Sequence, residues 1–314
     1  VIRRPLGSTG LRVSVLSVGT VSLGTEYGIP TGSSHGPPPR DLAVGLLRTA
    51  ADAGINLFDT APAYGDAETI LGEALGNRPE CLFATKVALP RTGVGASGER
   101  SELERHVRKS IDASRRALRR GLLDIVQIHN ATAPTILEGD MAEVLHRERA
   151  AGRIRFVGAT VYTEDEALAA VRAGAFDLIQ VPFNVLDRAM ATRVFPEARA
   201  AGVGVVVRSV FLKGALTPKA RWLPDELGEL RRAAVRLMQE TARSWKTLPE
   251  LAVRYCLSVE GVSSVLVGPR TEEELLQALE ATDRGPLGSD VRARVEQVHV
   301  GSPTLLNPAT WPIP

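Results

Sequence analysis

One junction recurs along this chain and limits what it can fold into. Five times a helical segment ends in a small or basic residue followed by Gly, and an apolar run begins at once. The junctions are Ala53-Gly54 before INLFD, Arg120-Gly121 before LLDIVQIH, Ala151-Gly152 before RIRFVGA, Ala173-Gly174 before AFDLIQV and Ala201-Gly202 before VGVVVRS. Glycine just past a helix supplies the left-handed cap that turns the chain into a strand. Apolar runs of this length between helices read as parallel strands buried on both faces. With further runs at 16–20, 82–86 and 263–267, the strands total eight. Eight parallel strands alternating with helices close into a barrel. The expected fold class is therefore α/β, a (β/α)8 TIM barrel, with residues 1–314 as a single domain. The rival, a doubly wound open sheet, needs a glycine fingerprint at its first strand–helix turn, and Gly19-Thr20 does not provide one.

The helices expected are 40–53, 67–76, 101–120, 135–151, 163–173, 188–201, 248–258 and 271–282. Three pieces lie outside the repeat. Residues 3–15 read as a β-hairpin around Gly-Ser-Thr-Gly, and two extra helices fall within ELGELRRAAVRLMQETARS and residues 288–300. The segment 24–39, rich in Gly, Pro and Ser, reads as a functional loop rather than a linker, because the barrel pattern continues beyond it. Gly93 to Gly98 matches GxGxxG, but it lies several residues past its strand and has no acid about 20 residues on, so a loop is the better reading.

Polar residues end several of the buried runs. Asp59 closes INLFD, Lys86 follows LFAT, and His129 closes IVQIH, while Tyr64 stands in the turn after Asp59. A polar group ending a buried strand is costly unless the strand ends open into a common site. Neighbouring strands of one barrel would bring these four to its C-terminal rim. Lysine is also scarce: of 38 basic residues only Lys86, Lys109, Lys213, Lys219 and Lys246 are lysines. The arginine bias points to a GC-rich genome and a bacterial biosynthetic setting.

The motifs FDTAPAYG, ATK at 84–86, His129, VGAT at 157–160 and Gln180 with Asn184, in that order over nearly the whole chain, resemble the aldo-keto reductases. The resemblance implies NAD(P)H-dependent carbonyl reduction in a barrel, with Tyr64 as proton donor, Lys86 and Asp59 as its electrostatic partners and His129 orienting the carbonyl. The chemistry is coherent: a phenol ordinarily near pKa 10 is brought towards the useful range by an adjacent ammonium. It implies cofactor contacts at Gly19, Thr20, Thr160, Gln180, Arg208, Ser209, Leu212, Gly214, Gly268, Arg270, Thr271 and Glu274. Thr160 stands where the family usually has Ser, Val161 where it often has Asn, and Ala278 where Asn commonly touches adenine. Arg208 takes the place of an aromatic that stacks on nicotinamide; a guanidinium plane can stack too, and its charge could reach a substrate carboxylate or phosphate. Gly268-Pro269-Arg270-Thr271 opens a helix, and Arg270 is placed for a 2′-phosphate, which favours NADPH over NADH.

Candidate substrate contacts are Tyr27, Asn130, Phe183, Trp222 and Trp311, a mixture suited to sugars, polyols or oxygenated natural-product intermediates. Two further readings keep the same site: a redox-neutral epimerase or dehydratase using bound NADP(H) transiently, and a cofactor-sensing regulatory subunit. A net charge of +2 without basic–aromatic interleaving argues against nucleic acid. No run reaches the roughly 18 apolar residues of a membrane span, and no signal peptide is apparent, so a cytoplasmic location is expected. Cys81 and Cys256 read as reduced core thiols, and no metal-ligand spacing is present. The oligomeric state is not legible.

Overall fold

A computed structural model describes residues 1–31, 36–90 and 97–313. The strands are β1 (Arg3–Pro5), β2 (Arg12–Ser14), β3 (Leu16–Gly19), β4 (Leu57–Asp59), β5 (Leu82–Ala88), β6 (Leu123–His129), β7 (Ile154–Thr160), β8 (Leu178–Pro182), β9 (Gly204–Arg208) and β10 (Ser264–Val267). β1 and β2 form the antiparallel hairpin, and β3 to β10 form a closed parallel barrel in chain order. Closure is made by β10, which pairs with β9 on one side and β3 on the other. The eight-stranded barrel is thus as the helix–glycine–strand repeat requires.

The helices are α1 (Val21–Gly24), α2 (Arg40–Asp52), α3 (Ala67–Leu75), α4 (Ser97–Ala117), α5 (Ala133–Glu138), α6 (Asp140–Ala150), α7 (Glu164–Arg172), α8 (Val194–Ala200), α9 (Gly228–Thr241), α10 (Leu248–Leu257), α11 (Glu272–Asp283) and α12 (Ser289–Val295). α9 and α12 are the two extra helices. Two expected helices are shorter or divided. The stretch 135–151 is split at Gly139, whose φ of 78° ends α5 and starts α6. The stretch 188–201 becomes a 3-10 turn, Ala189–Ala191, and then α8. Pro196 has no amide hydrogen and is tolerated only in a helix's first turn, which forces α8 to begin just before it.

Four of the five junction glycines take the left-handed conformation: Gly54, Gly152, Gly174 and Gly202 have φ of 95°, 72°, 65° and 70°. The fifth does not. After α4 the left-handed residue is Arg119 (φ 55°), and Arg120 N donates to Arg115 O at 2.9 Å. The earlier turn aims the Arg120 side chain inward, where it donates to the carbonyls of Leu75, Arg78 and Cys81 and lies 4.4 Å over the Phe83 ring. Satisfying three carbonyls offsets the cost of a left-handed non-glycine residue.

Alternation along the strands sorts side chains into two cores. Outward-facing residues such as Phe58, Phe83, Val126, Val157, Ile179 and Val205 pack with the helices. Inward-facing Leu57, Leu82, Ala84, Ile125, Leu178 and Val206 pack with Leu6 and Val13 of the hairpin, which plugs the floor. Asn56 ties the plug down: its Oδ1 accepts from Ser14 N at 2.7 Å, and its Nδ2 donates to Arg12 O at 2.9 Å. Both cysteines are buried and free, as expected. Among the described residues no helix is long and apolar enough to cross a membrane, and no cluster of side chains could hold a metal ion.

Candidate active site

The inward-facing rows turn polar at the mouth. Asp59 lies two residues beyond Leu57, Lys86 two beyond Ala84, Gln127 two beyond Ile125 and Gln180 two beyond Leu178, so all four project into the same space. Lys86 does not end its strand as the sequence suggests; β5 continues for two more residues, which sinks the ammonium below the rim. Its side chain is 1% exposed. Lys86 Nζ donates to Asp59 Oδ2 at 2.6 Å and to Thr60 O at 2.8 Å. The other Asp59 oxygen accepts from Gln180 Nε2 at 2.7 Å and Gln127 Nε2 at 3.2 Å. The buried carboxylate is therefore saturated, which makes a buried ion pair tolerable. Burial pulls the Lys86 pKa down, but Asp59 and Tyr64 together more than reverse it, and the net direction is up. Lys86 is a fixed cation.

Tyr64 is held above this pair by a close crossing of chain. A Cβ on Gly24 would meet Tyr64 O at 2.0 Å, and Gly65, at φ 56°, lies against the Gly24 carbonyl. The Tyr64 ring is edge-on to His129, centroids 5.9 Å apart, and Lys86 Nζ is 4.8 Å from its centroid. The expectation of a lowered phenol pKa needs correcting. Burial pushes it up, and the downward pull of the Lys86 ammonium is the smaller effect, so the net direction is upward and the phenol keeps its proton. Burial also pushes the His129 pKa down to about 4, with the Lys86 charge acting the same way. At neutral pH the imidazole is uncharged and offers one N–H. A protonated phenol and a neutral imidazole side by side form a donor pair suited to an oxygen on which negative charge grows.

These groups open into a cleft of about 740 Å³. It runs from Asp59, Tyr64, Lys86 and His129 past Thr160, Gln180 and Arg208 to Gly268, Arg270, Thr271, Glu274 and Ala278. Gly19, Ser209 and Gly214 also line it. Thr160 Oγ1 accepts from Asn130 N at 2.8 Å, which steadies the left-handed turn after β6 (Asn130 φ 55°). Asn184 Nδ2 donates to Ser209 O at 3.1 Å and shapes the matching turn after β9. Thr271 caps α11, accepting from Glu274 N at 3.2 Å. Glu274 in turn accepts from Lys219 Nζ at 3.0 Å and Arg270 N at 2.8 Å, and the Arg270 guanidinium bonds the Gly36 carbonyl. A long cleft with a donor pair at one end and Lys219, Arg270 and a capped helix start at the other fits a dinucleotide.

Several expected contacts lie elsewhere. Thr20 Oγ1 donates to Asp59 O at 3.1 Å and braces the strand end from behind, and Leu212 is buried in the core; neither lines the cleft. Phe183 is fully buried, stacked on Tyr255 and edge-on to Phe195 between α8 and α10. Trp311 is buried under the C-terminal turns, its Nε1 donating to Leu305 O at 3.0 Å. Trp222 is 53% exposed beneath the Arg221 guanidinium. Of the five substrate candidates, only Tyr27 and Asn130 face the cleft. Of the positions that depart from the resemblance, Val161 is buried in the core and Ala278 lines the cleft.

The sequence reading missed Gln127, Tyr162, Lys213, Lys219 and Gln277, of which all but Gln127 line the cleft. Gln127 was legible in principle, since it stands two residues before His129 on one strand. Residues 91–96, which hold most of the GxGxxG match, and residues 32–35 of the 24–39 loop lie outside the described residues.

Comparison with known proteins agrees with this fold. A profile of the aldo/keto reductase family matches residues 15–299. The chain is similar to L-galactose dehydrogenase of Arabidopsis thaliana, at 31% identity over 98% of this chain and 96% of the relative. It is also similar to the NADH-specific methylglyoxal reductase of Escherichia coli, at 28% identity over 88% of this chain and 92% of that one. Among solved structures, an aldo-keto reductase from Bacillus halodurans in its holo form superposes with a TM-score of 0.76 at 25% identity, over 94% and 95% of the two chains.

Proposed function

The chain belongs to the aldo/keto reductase family, and on that premise we propose that residues 1–314 act as one catalytic unit reducing an aldehyde or ketone to an alcohol with NADPH. The observation that carries the reading is the buried Lys86–Asp59 pair beneath Tyr64 and His129, at the end of a cleft long enough for a dinucleotide. When bound, the reduced dinucleotide supplies a hydride. Thr160 and Gln180 would hold its nicotinamide end, with the Gln180 carbonyl oxygen left for a carboxamide because the amide nitrogen is taken by Asp59. Ser209 and Gly214 would line the pyrophosphate, and Gly268, Arg270, Thr271 and Lys219 the adenosine end.

The chain's own residues manage the carbonyl oxygen. His129 donates a hydrogen bond and sets its position. Tyr64 gives up its proton as negative charge builds there, and Lys86 stabilises the phenolate left behind. Asp59 keeps Lys86 charged and in place. The phenol is protonated at neutral pH, as the proton donor of a reduction must be; in the reverse reaction the same oxygen would act as the base. The names of the relatives, a galactose dehydrogenase and a methylglyoxal reductase, support small oxygenated substrates such as sugars, polyols or natural-product intermediates. Arg270 and Lys219 favour NADPH, while Glu274 offsets part of their charge.

Titration with NADPH and NADH, followed by intrinsic tryptophan fluorescence, tests the cofactor reading; a preference for NADPH of about tenfold is expected from one extra charge-assisted contact. Turnover on a carbonyl panel tests the chemistry. Tyr64→Phe should lower kcat by on the order of 10²–10⁴ while still binding the dinucleotide. Retention of more than a tenth of kcat would remove Tyr64 as the proton donor. Tight binding without turnover on any carbonyl would favour the redox-neutral or regulatory readings.

A further inference from the structure

Arg208 is a cation on the cleft wall that forms no ion pair among the described residues. It ends β9 two residues beyond inward-facing Val206, and its side chain lines the same cavity as Tyr64, His129, Asn130 and Tyr27. The guanidinium donates to Val161 O at 3.1 Å and to Ser209 Oγ at 3.2 Å, and it lies 4.3 Å over the Tyr162 ring. Those contacts orient the group without neutralising it. Among the described residues none forms an ion pair with it.

Of the neighbouring cations, Lys86 is paired with Asp59 and Lys219 with Glu274, while Lys213, like Arg208, donates only to uncharged groups, the carbonyls of Pro308 and Ile313. Asp187 feels the Arg208 charge, but its own burial dominates and raises its pKa, and it forms no ion pair with Arg208. One face of the guanidinium is occupied by Tyr162, which restricts stacking to the other face and leaves edge N–H groups for a ligand. A half-buried guanidinium gains most from a planar anion that takes two parallel hydrogen bonds. A planar guanidinium matches a planar carboxylate in shape as well as in charge.

We propose that Arg208 determines substrate specificity, and that the substrate is a carbonyl compound bearing a carboxylate, an oxo acid or a sugar acid. This rests on the reductase reading above. In the step, the carbonyl carbon takes a hydride from the reduced dinucleotide, which is left oxidised. The oxygen takes the Tyr64 proton, and the carboxylate on Arg208 is unchanged throughout.

The test compares 4-carboxybenzaldehyde with 4-carbamoylbenzaldehyde, which share a shape and differ in charge. The wild-type protein should show a kcat/KM ratio of about tenfold or more in favour of the carboxylate, the scale of one charged hydrogen-bonded pair. Arg208→Gln should bring the ratio to near one, chiefly through the KM of the acid, and Arg208→Lys should retain part of it. A wild-type ratio near one overturns the proposal. So does an equal loss on both aldehydes in Arg208→Gln with weakened NADPH binding, which would assign the residue to the nicotinamide.

If neither aldehyde is turned over, the carbonyl panel above decides on the reductase reading separately, and calorimetric titration of the NADPH-loaded protein with benzoate and benzamide decides about Arg208. Tighter binding of benzoate, lost in Arg208→Gln, supports the anion site. Equal binding of the two by the wild type overturns it.

Discussion

The floor and the mouth of this barrel are made by the same strands, two residues apart. At the floor the inward row is Leu57, Ala84, Ile125, Leu178 and Val206, sealed by Leu6 and Val13 of the hairpin. One step along each strand the row becomes Asp59, Lys86, Gln127, Gln180 and Arg208. The apolar row is held by area removed from water, and its members are interchangeable within limits of volume. The polar row is held by mutual satisfaction, with one carboxylate taking donors from Lys86, Gln127 and Gln180. Removing one member of such a set leaves the others buried and unpaired. The floor should therefore respond to mutation in stability alone, and the mouth in both stability and turnover.

Lys86→Met is the sharpest test of that contrast. It strands Asp59 in a buried site, which should cost about 3–5 kcal/mol of stability, and it removes the cation beside the Tyr64 oxygen, lowering kcat by roughly 10³-fold. Denaturant unfolding and steady-state kinetics read the two effects separately. Leu57→Ala, one step below Asp59, should cost about 2–5 kcal/mol through its cavity, yet leave kcat of the folded fraction within roughly twofold. A large loss of kcat there would mean that floor packing is transmitted to the mouth.

Gln127→Leu removes one of three donors on Asp59 and should lower kcat/KM by roughly tenfold, about 1.4 kcal/mol, with dinucleotide affinity retained. A further effect concerns protons. The folded-state pKa of His129 is near 4, against an ordinary value of 6.5, so between those values the unfolded chain binds more protons than the folded one. Stability should fall as pH drops from about 6.5 towards 4, and His129→Gln should flatten that part of the Tm–pH curve. Because the imidazole stays neutral, kcat/KM should show no inflection from His129 between pH 5 and 8.

The eight-stranded barrel was legible because the helix–glycine–strand junction is a local signal repeated along the chain. Asp59, Lys86 and His129 were legible because polar residues closing apolar runs are conspicuous. What stayed hidden depends on three-dimensional direction. Phe183, Trp222 and Trp311 are chemically plausible pocket residues, but only packing shows that two are core and one is surface. Lys213 and Lys219 sit in the irregular segment after β9, where no period says which way a side chain points. The sense of the Tyr64 shift was misjudged because proximity to Lys86 can be read from a motif, whereas the depth of burial cannot. Arg119 rather than Gly121 takes the left-handed turn for a related reason: the carbonyls that reward Arg120 come from a segment about 40 residues earlier.

The hairpin plug also has a consequence for the order of assembly. Its anchors lie at opposite ends of the chain: Arg4 donates to Val262 O, 258 residues away, and Ser264 Oγ donates to Ser14 O, 250 residues away. Asn56 can hold the hairpin early, but these two anchors form only once the strand made some 250 residues later is present. Contacts this distant bring their reward only after the intervening strands are in place, which slows the closing of the barrel. Until β10 seats between β3 and β9, the nascent barrel has two open strand edges and an uncovered apolar floor, the state in which this protein is most exposed to aggregation and to chaperones.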